Sequence, residues 1–76
     1  MLYIVSQNRK KLTDLKTISI VDPGHGREDD EFYRVYVNGA EFGRYRNREA
    51  IARIMDEIKR FIHTSQNAYY ELPQDV

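Results

Sequence analysis

An α+β domain of four antiparallel strands followed by one helix is the fold class this chain predicts, and three observations predict it. Residues 2–6 and 17–21 are short runs of β-branched and aromatic side chains. Residues 32–37 and 40–46 flank an Asn38-Gly39 pair, the residue types that accept the two positive φ angles of a tight hairpin turn. From 51 onward, Ile51, Ile54, Met55, Ile58, Phe61 and Ile62 recur at helical spacing.

Taken in order, Leu2-Tyr3-Ile4-Val5-Ser6 reads as a strand rather than a signal peptide, because its apolar run is short and the basic Arg9-Lys10-Lys11 follows it instead of preceding it. Residues 7–16 are polar and basic, with Leu12 and Leu15 as anchors before the second strand, in which Ile18 and Ile20 alternate with Thr17 and Ser19. Asp22-Pro23-Gly24-His25-Gly26 breaks the chain, and Glu28-Asp29-Asp30-Glu31 completes an exposed loop. A two-residue turn at Asn38-Gly39 then fixes a register. It pairs Val37 with Ala40, Val35 with Phe42 and Tyr33 with Arg44 on a core face. On the opposite face it pairs Tyr36 with Glu41, Arg34 with Gly43 and Phe32 with Tyr45. Asn47 suits a helix N-cap and Glu49 the positive end of the helix dipole. The polar helix face, with Arg53, Asp56, Glu57, Lys59 and Arg60, reads as solvated. The helix is expected to fade at His63-Thr64-Ser65. A single domain over residues 1–65 is therefore expected, with an ordered or partly ordered tail over 66–76 that carries Tyr69, Tyr70 and Leu72.

Composition narrows the function classes. A chain of 76 residues supports one thin core. Twelve Lys+Arg against twelve Asp+Glu give no global field to gather nucleic acid, although the balance is a sum of opposed patches: residues 7–16 carry +3, residues 22–31 carry −4 and residues 44–48 carry +3. The absence of Cys removes disulfides, thiolate zinc sites and thiol nucleophiles, and with no export signal it makes the cytoplasm the expected compartment. No apolar stretch reaches the roughly 20 residues of a membrane helix, so no membrane partner is expected.

Chemistry-bearing patterns are sparse. The Gly24 to Glu31 loop offers His25 and, from Asp29 to Glu31, consecutive carboxylates, but consecutive acids cannot all point at one cation, so no metal site is assigned. Gly24 and Gly26 precede no helix and no Lys-Ser/Thr, which disfavours a phosphate cradle. His63 at the helix end reads as a stabilising residue, and the hydroxyls of Ser6, Thr17, Ser19 and Ser65 have no base at predictable reach. No catalytic residue and no cofactor are therefore expected, and the chain reads as a non-enzyme.

What remains is a surface. One helix covers one face of a sheet, leaving Phe32, Arg34, Tyr36 and Tyr45 on the other, and Tyr69 and Tyr70 in the tail as further contact residues. Aromatic residues and Arg of this kind suit a protein or self-contacting interface, and the expected partner is another protein or a second copy of the chain. The alternative is single-stranded nucleic-acid binding, with Tyr36 and Tyr45 stacking bases beside Arg44 and Arg46. The ribonucleoprotein motifs are missing, so the protein interface is preferred. A last possibility is that Tyr69, Tyr70 and Leu72 fold back over part of this surface.

Four segments carry a resemblance: Tyr3-Ile4-Val5-Ser6-Gln7-Asn8, Phe42-Gly43-Arg44-Tyr45, the helix over 49–62, and Tyr69-Tyr70-Glu71-Leu72-Pro73. Together they resemble a group of short uncharacterised proteins of Gram-positive bacteria and their phages, which commonly open on an Ile-Ser-Gln-Asp-like strand and close on a Tyr-x-Met-Pro-like tail. Here Asn8 stands for the usual acid and Leu72 for the usual Met. The resemblance implies a compact β-rich domain with a helix toward the C-terminus, and no catalytic residue.

Overall fold

The computed structural model describes residues 1–23, 31–63 and 68–74. They form β1 (Leu2–Val5), β2 (Leu12–Asp14), β3 (Ile18–Val21), β4 (Tyr33–Val37), β5 (Ala40–Tyr45), α1 (Arg48–Ile62) and β6 (Ala68–Glu71). The α+β class is the expected one, but the single four-stranded sheet is replaced by two three-stranded sheets. Sheet A has the order β2-β1-β6 and sheet B the order β3-β4-β5. Every neighbouring pair is antiparallel except β1 and β6, which run parallel with Leu2 beside Ala68 and Val5 beside Glu71.

Alternation explains which residues go inside. Leu2 and Ile4 of β1, Tyr70 of β6 and Leu72 after it point to one side, and Val35 and Val37 of β4 point to the facing side. The helix contributes Ile51, Ile54 and Ile58, and all of these join Phe42 and Tyr45 in a single core. The expected helical stripe is thus buried along three of its six residues, with Met55 and Phe61 half-buried and Ile62 exposed at the last turn. Asn47 caps the helix as expected, its Oδ1 accepting the Glu49 N–H at 2.8 Å. The polar face is not wholly solvated, because Glu57 accepts a 2.7 Å hydrogen bond from the Tyr70 hydroxyl.

The two sheets are tied together at both ends. Asn38, at φ 53°, and Gly39, at φ 85°, make the expected tight turn between β4 and β5. The Asn38 side chain reaches further: its Oδ1 accepts from the N–H groups of Lys16 and Thr17, and its Nδ2 donates to the Asp14 carbonyl at 2.7 Å and to Thr13 Oγ1. At the opposite end the Gln7 N–H donates to the Phe42 carbonyl at 2.8 Å, and the Gln7 side chain accepts the Arg44 N–H and donates to the Arg44 carbonyl. Gln7 thereby occupies the free edge of β5 as a neighbouring strand would.

Candidate interaction surface

The expected contact face of sheet B depended on a regular register across Asn38-Gly39. The first two pairs, Val37 with Ala40 and Tyr36 with Glu41, are those expected, but a bulge follows, and Val35 then faces Gly43, Arg34 faces Arg44 and Tyr33 faces Tyr45. One extra residue, Phe42, turns everything after it to the other side. Tyr45 is consequently not on the open face. It is fully buried in the core, with its hydroxyl donating to the Pro73 carbonyl at 2.7 Å. Gly43 makes this possible, since a Cβ there would lie 3.0 Å from the Tyr45 ring and 3.3 Å from Gln7 Cβ.

The outer face of sheet B keeps Phe32, Arg34 and Tyr36, each half-buried. Charge dominates it. Glu41 stands between Arg44, whose Nε lies 2.6 Å from its carboxylate, and Arg34, whose Nη1 lies 3.4 Å away. The Arg46 guanidinium sits 5.1 Å above the Phe32 ring and 3.6 Å from Glu31. The aromatic rings of this face are therefore already engaged with, or set among, arginines that are themselves paired.

The segments that carry the resemblance meet at one place. Ser6, 2% exposed, donates to Asn8 Oδ1 at 2.7 Å and accepts the Lys11 N–H, which folds the loop after β1. That loop sets Arg9 at a positive φ of 65° and aims its guanidinium at the Leu72 carbonyl, 2.6 Å away, with Glu71 at 3.5 Å. Tyr45 holds the next carbonyl, that of Pro73. The opening, the Phe42-Gly43-Arg44-Tyr45 element and the closing segment thus form a latch that fixes residues 70–73 onto the core. Burial pushes the Tyr45 hydroxyl up to about 12, with nearby Arg9 opposing the shift. Burial raises Tyr70 further, reinforced by its hydrogen bond to Glu57. Tyr70, expected as a contact residue, is a core residue, 6% exposed, with its ring tilted against Phe61.

Tyr69 behaves differently. It is 63% exposed and stacks on Tyr3 with ring centroids 5.1 Å apart. By alternation Tyr3, Val5, Leu12 and Tyr69 share the outer face of sheet A, bordered by Asp14 and Glu71. Leu12 is 57% exposed. This is an apolar and aromatic tile with no helix over it. The sequence carried a sign of it: in residues 2–5 and in residues 68–72 the core residues alternate with Tyr3, Val5, Tyr69 and Glu71.

Two hollows flank these faces. A polar one of about 280 Å³ is lined by Ser6, Gln7, Asn8, Glu41 and the 42–44 segment, and an apolar one of about 290 Å³ lies between Met1, Leu15, Phe61 and Ile62. No group of three metal-ligating side chains occurs among the described residues. The loop reading that involved His25, Asp29 and Asp30 lies outside them, with only Glu31 inside. No helix among the described residues is long and apolar enough to cross a membrane. In comparisons with family models, curated proteins and solved structures, nothing matches this chain.

Proposed function

We propose that this protein is a small interaction module of the cytoplasm that associates with itself through sheet A. The observation that carries the reading is the stack of the exposed Tyr69 on the half-buried Tyr3, beside half-buried Val5 and exposed Leu12 on a sheet face that the helix does not cover. A contiguous apolar and aromatic patch on a small domain marks a contact site more often than a neutral surface. The site differs from the one expected from sequence, because the bulge at Phe42 moves Tyr45 inside and leaves sheet B with a face of paired charges.

Light scattering coupled to gel filtration tests this reading. The wild-type protein is expected to show a concentration-dependent dimer mass. Tyr69→Glu should weaken the association and Tyr36→Glu should leave it unchanged. A wild-type protein that stays monomeric at millimolar concentration overturns the proposal, as does a Tyr36→Glu variant that alone dissociates.

The second reading, single-stranded nucleic-acid binding by sheet B, rests on Arg44 and Arg46 beside Tyr36. It loses Tyr45 as a stacking platform, and Glu41 and Glu31 already engage its arginines. Titration of short oligonucleotides at low salt would detect it as a salt-dependent affinity.

A further inference from the structure

The hydrogen-bond parity of β6 carries the self-association reading one step further, to its geometry. Ala68 donates to the Met1 carbonyl and Leu72 donates to the Val5 carbonyl, so the even-numbered residues of this strand turn their backbone groups toward β1. In a strand the intervening residues face the other way. The N–H and C=O groups of Tyr69 and Glu71 therefore line the outer edge of sheet A, and no described residue bonds to them. Two other edges carry side-chain partners: Gln7 and the Lys11 ammonium occupy that of β5, and Asn38 takes the Asp14 carbonyl on β2, whereas the edge of β3 belongs to sheet B, away from the tile. β6 is short and ends on the charged Glu71, but it has no Pro, no Lys and no bulge within Ala68–Glu71 to block a further strand.

We infer that a second copy of the chain pairs antiparallel along this edge, β6 against β6, to give a continuous six-stranded sheet. The inference rests on the self-association reading and specifies how it occurs. Side-chain charge selects the register. A two-fold axis through Tyr70 sets Tyr69 opposite the partner's Glu71 twice, so both outward-facing residues of each strand exchange their backbone bonds. An axis through Glu71 would place two carboxylates directly opposite, which is destabilising, and an axis through Tyr69 would leave a single hydrogen-bonded pair, Tyr69 with Tyr69, within the strand. In the favoured register Ala68 lies opposite the partner's Leu72, small against large, on the core side. The two Tyr3–Tyr69 stacks then lie on one face, on either side of the junction.

Glu71→Pro is the decisive substitution. It removes the N–H that faces the outer edge together with the carboxylate beside Arg9, a loss that Glu71→Gln reproduces alone, and it keeps the Tyr69 ring and the bonds to β1. Glu71→Pro should weaken the dimer by about tenfold or more, since two hydrogen bonds are lost per dimer, whereas Glu71→Gln, which retains the N–H, and Leu12→Glu, which lies away from the junction, should leave it near wild type. A dimer that survives Glu71→Pro but is dissociated by Leu12→Glu overturns edge pairing in favour of face-to-face contact, while the self-association reading stands. A monomeric wild type overturns both. If Glu71→Pro fails to fold by circular dichroism, amide hydrogen exchange of the wild type decides: the Tyr69 and Glu71 amides should become protected as concentration rises, and persistent fast exchange at both in the dimer refutes the inference.

Discussion

The outer faces of the two sheets began, on sequence, as one surface, and they differ in kind. Sheet A presents Tyr3, Val5, Leu12 and Tyr69, an apolar tile whose aromatic rings meet one another. Sheet B presents Arg34, Tyr36, Glu41, Arg44 and Arg46, where each charge already has an opposite charge or a ring beside it. A surface whose groups satisfy one another gains little by meeting a partner, because each contact made must first break one. Bare apolar area has no such prior claim. The contrast teaches that the richer chemistry of sheet B is the poorer guide to contact.

The largest perturbation of this contrast comes from the strand that bears the tile. Leu72→Ala removes a fully buried side chain, and a cost of about 2–5 kcal/mol is expected from the lost burial and the cavity left. Chemical denaturation should show that loss, and hydrogen exchange should locate it in residues 68–72 and β1, with β4 and β5 less affected. Equal loosening of both sheets would mean that their difference is superficial.

A smaller effect is expected in alkali. Tyr45 holds its proton in the folded state up to about pH 12, whereas an unfolded tyrosine releases it near pH 10. The unfolded chain therefore binds fewer protons than the native one above that lower value, and stability should be level below pH 10 and fall as pH rises toward 12. Tyr45→Phe should reduce this slope, to which the raised Tyr70 also contributes, while removing the hydroxyl that holds the Pro73 carbonyl. Thermal unfolding of both proteins between pH 9 and pH 12, a window that spans the ordinary and the raised tyrosine values, provides the check. A slope unchanged by the substitution would move its origin elsewhere.

The smallest effect belongs to sheet B. Glu41→Gln breaks an ion-pair cluster in which Arg44 is half-exposed, and a loss within about 1 kcal/mol is expected. It also leaves Arg34 and Arg44 without their shared carboxylate. If oligonucleotide affinity then appears where the wild type shows none, the mesh of charges is what keeps this face silent.

Much of the architecture was legible in local pattern, and the reasons for the remainder are physical. The helix, its Asn47 cap and the Asn38-Gly39 turn follow from contacts within a few residues, which the sequence displays directly. The parallel pairing of β6 with β1 joins residues 66 positions apart, such as Leu2 and Ala68, and no local periodicity encodes it. The division into two sheets follows from that pairing, because β1 is occupied on both edges by β2 and β6 and is not available to sheet B. The bulge was half-legible. An isolated Gly43 in a strand suggests either a bulge or a close backbone approach, and here it serves both, yet the residue type does not say by which strand position the register shifts. Tyr45 therefore moved from the expected contact face to the core, while Tyr69 lies exposed on the other sheet, in a strand that the sequence pattern reads only as a tail.

The Asn38 side chain has a consequence for what the chain can tolerate. Its turn asks only for two residues comfortable at positive φ, and Gly-Gly or Asp-Gly meets that requirement as well. Glycine would keep the bend but surrender all four side-chain bonds to residues 13, 14, 16 and 17. Aspartate would keep the acceptors and set a carboxylate against the Asp14 carbonyl that the amide now serves as donor. The residue at this position is thus dictated by a distant stretch of chain, and an interchange that is neutral in an isolated hairpin would here undo one of the two ties between the sheets.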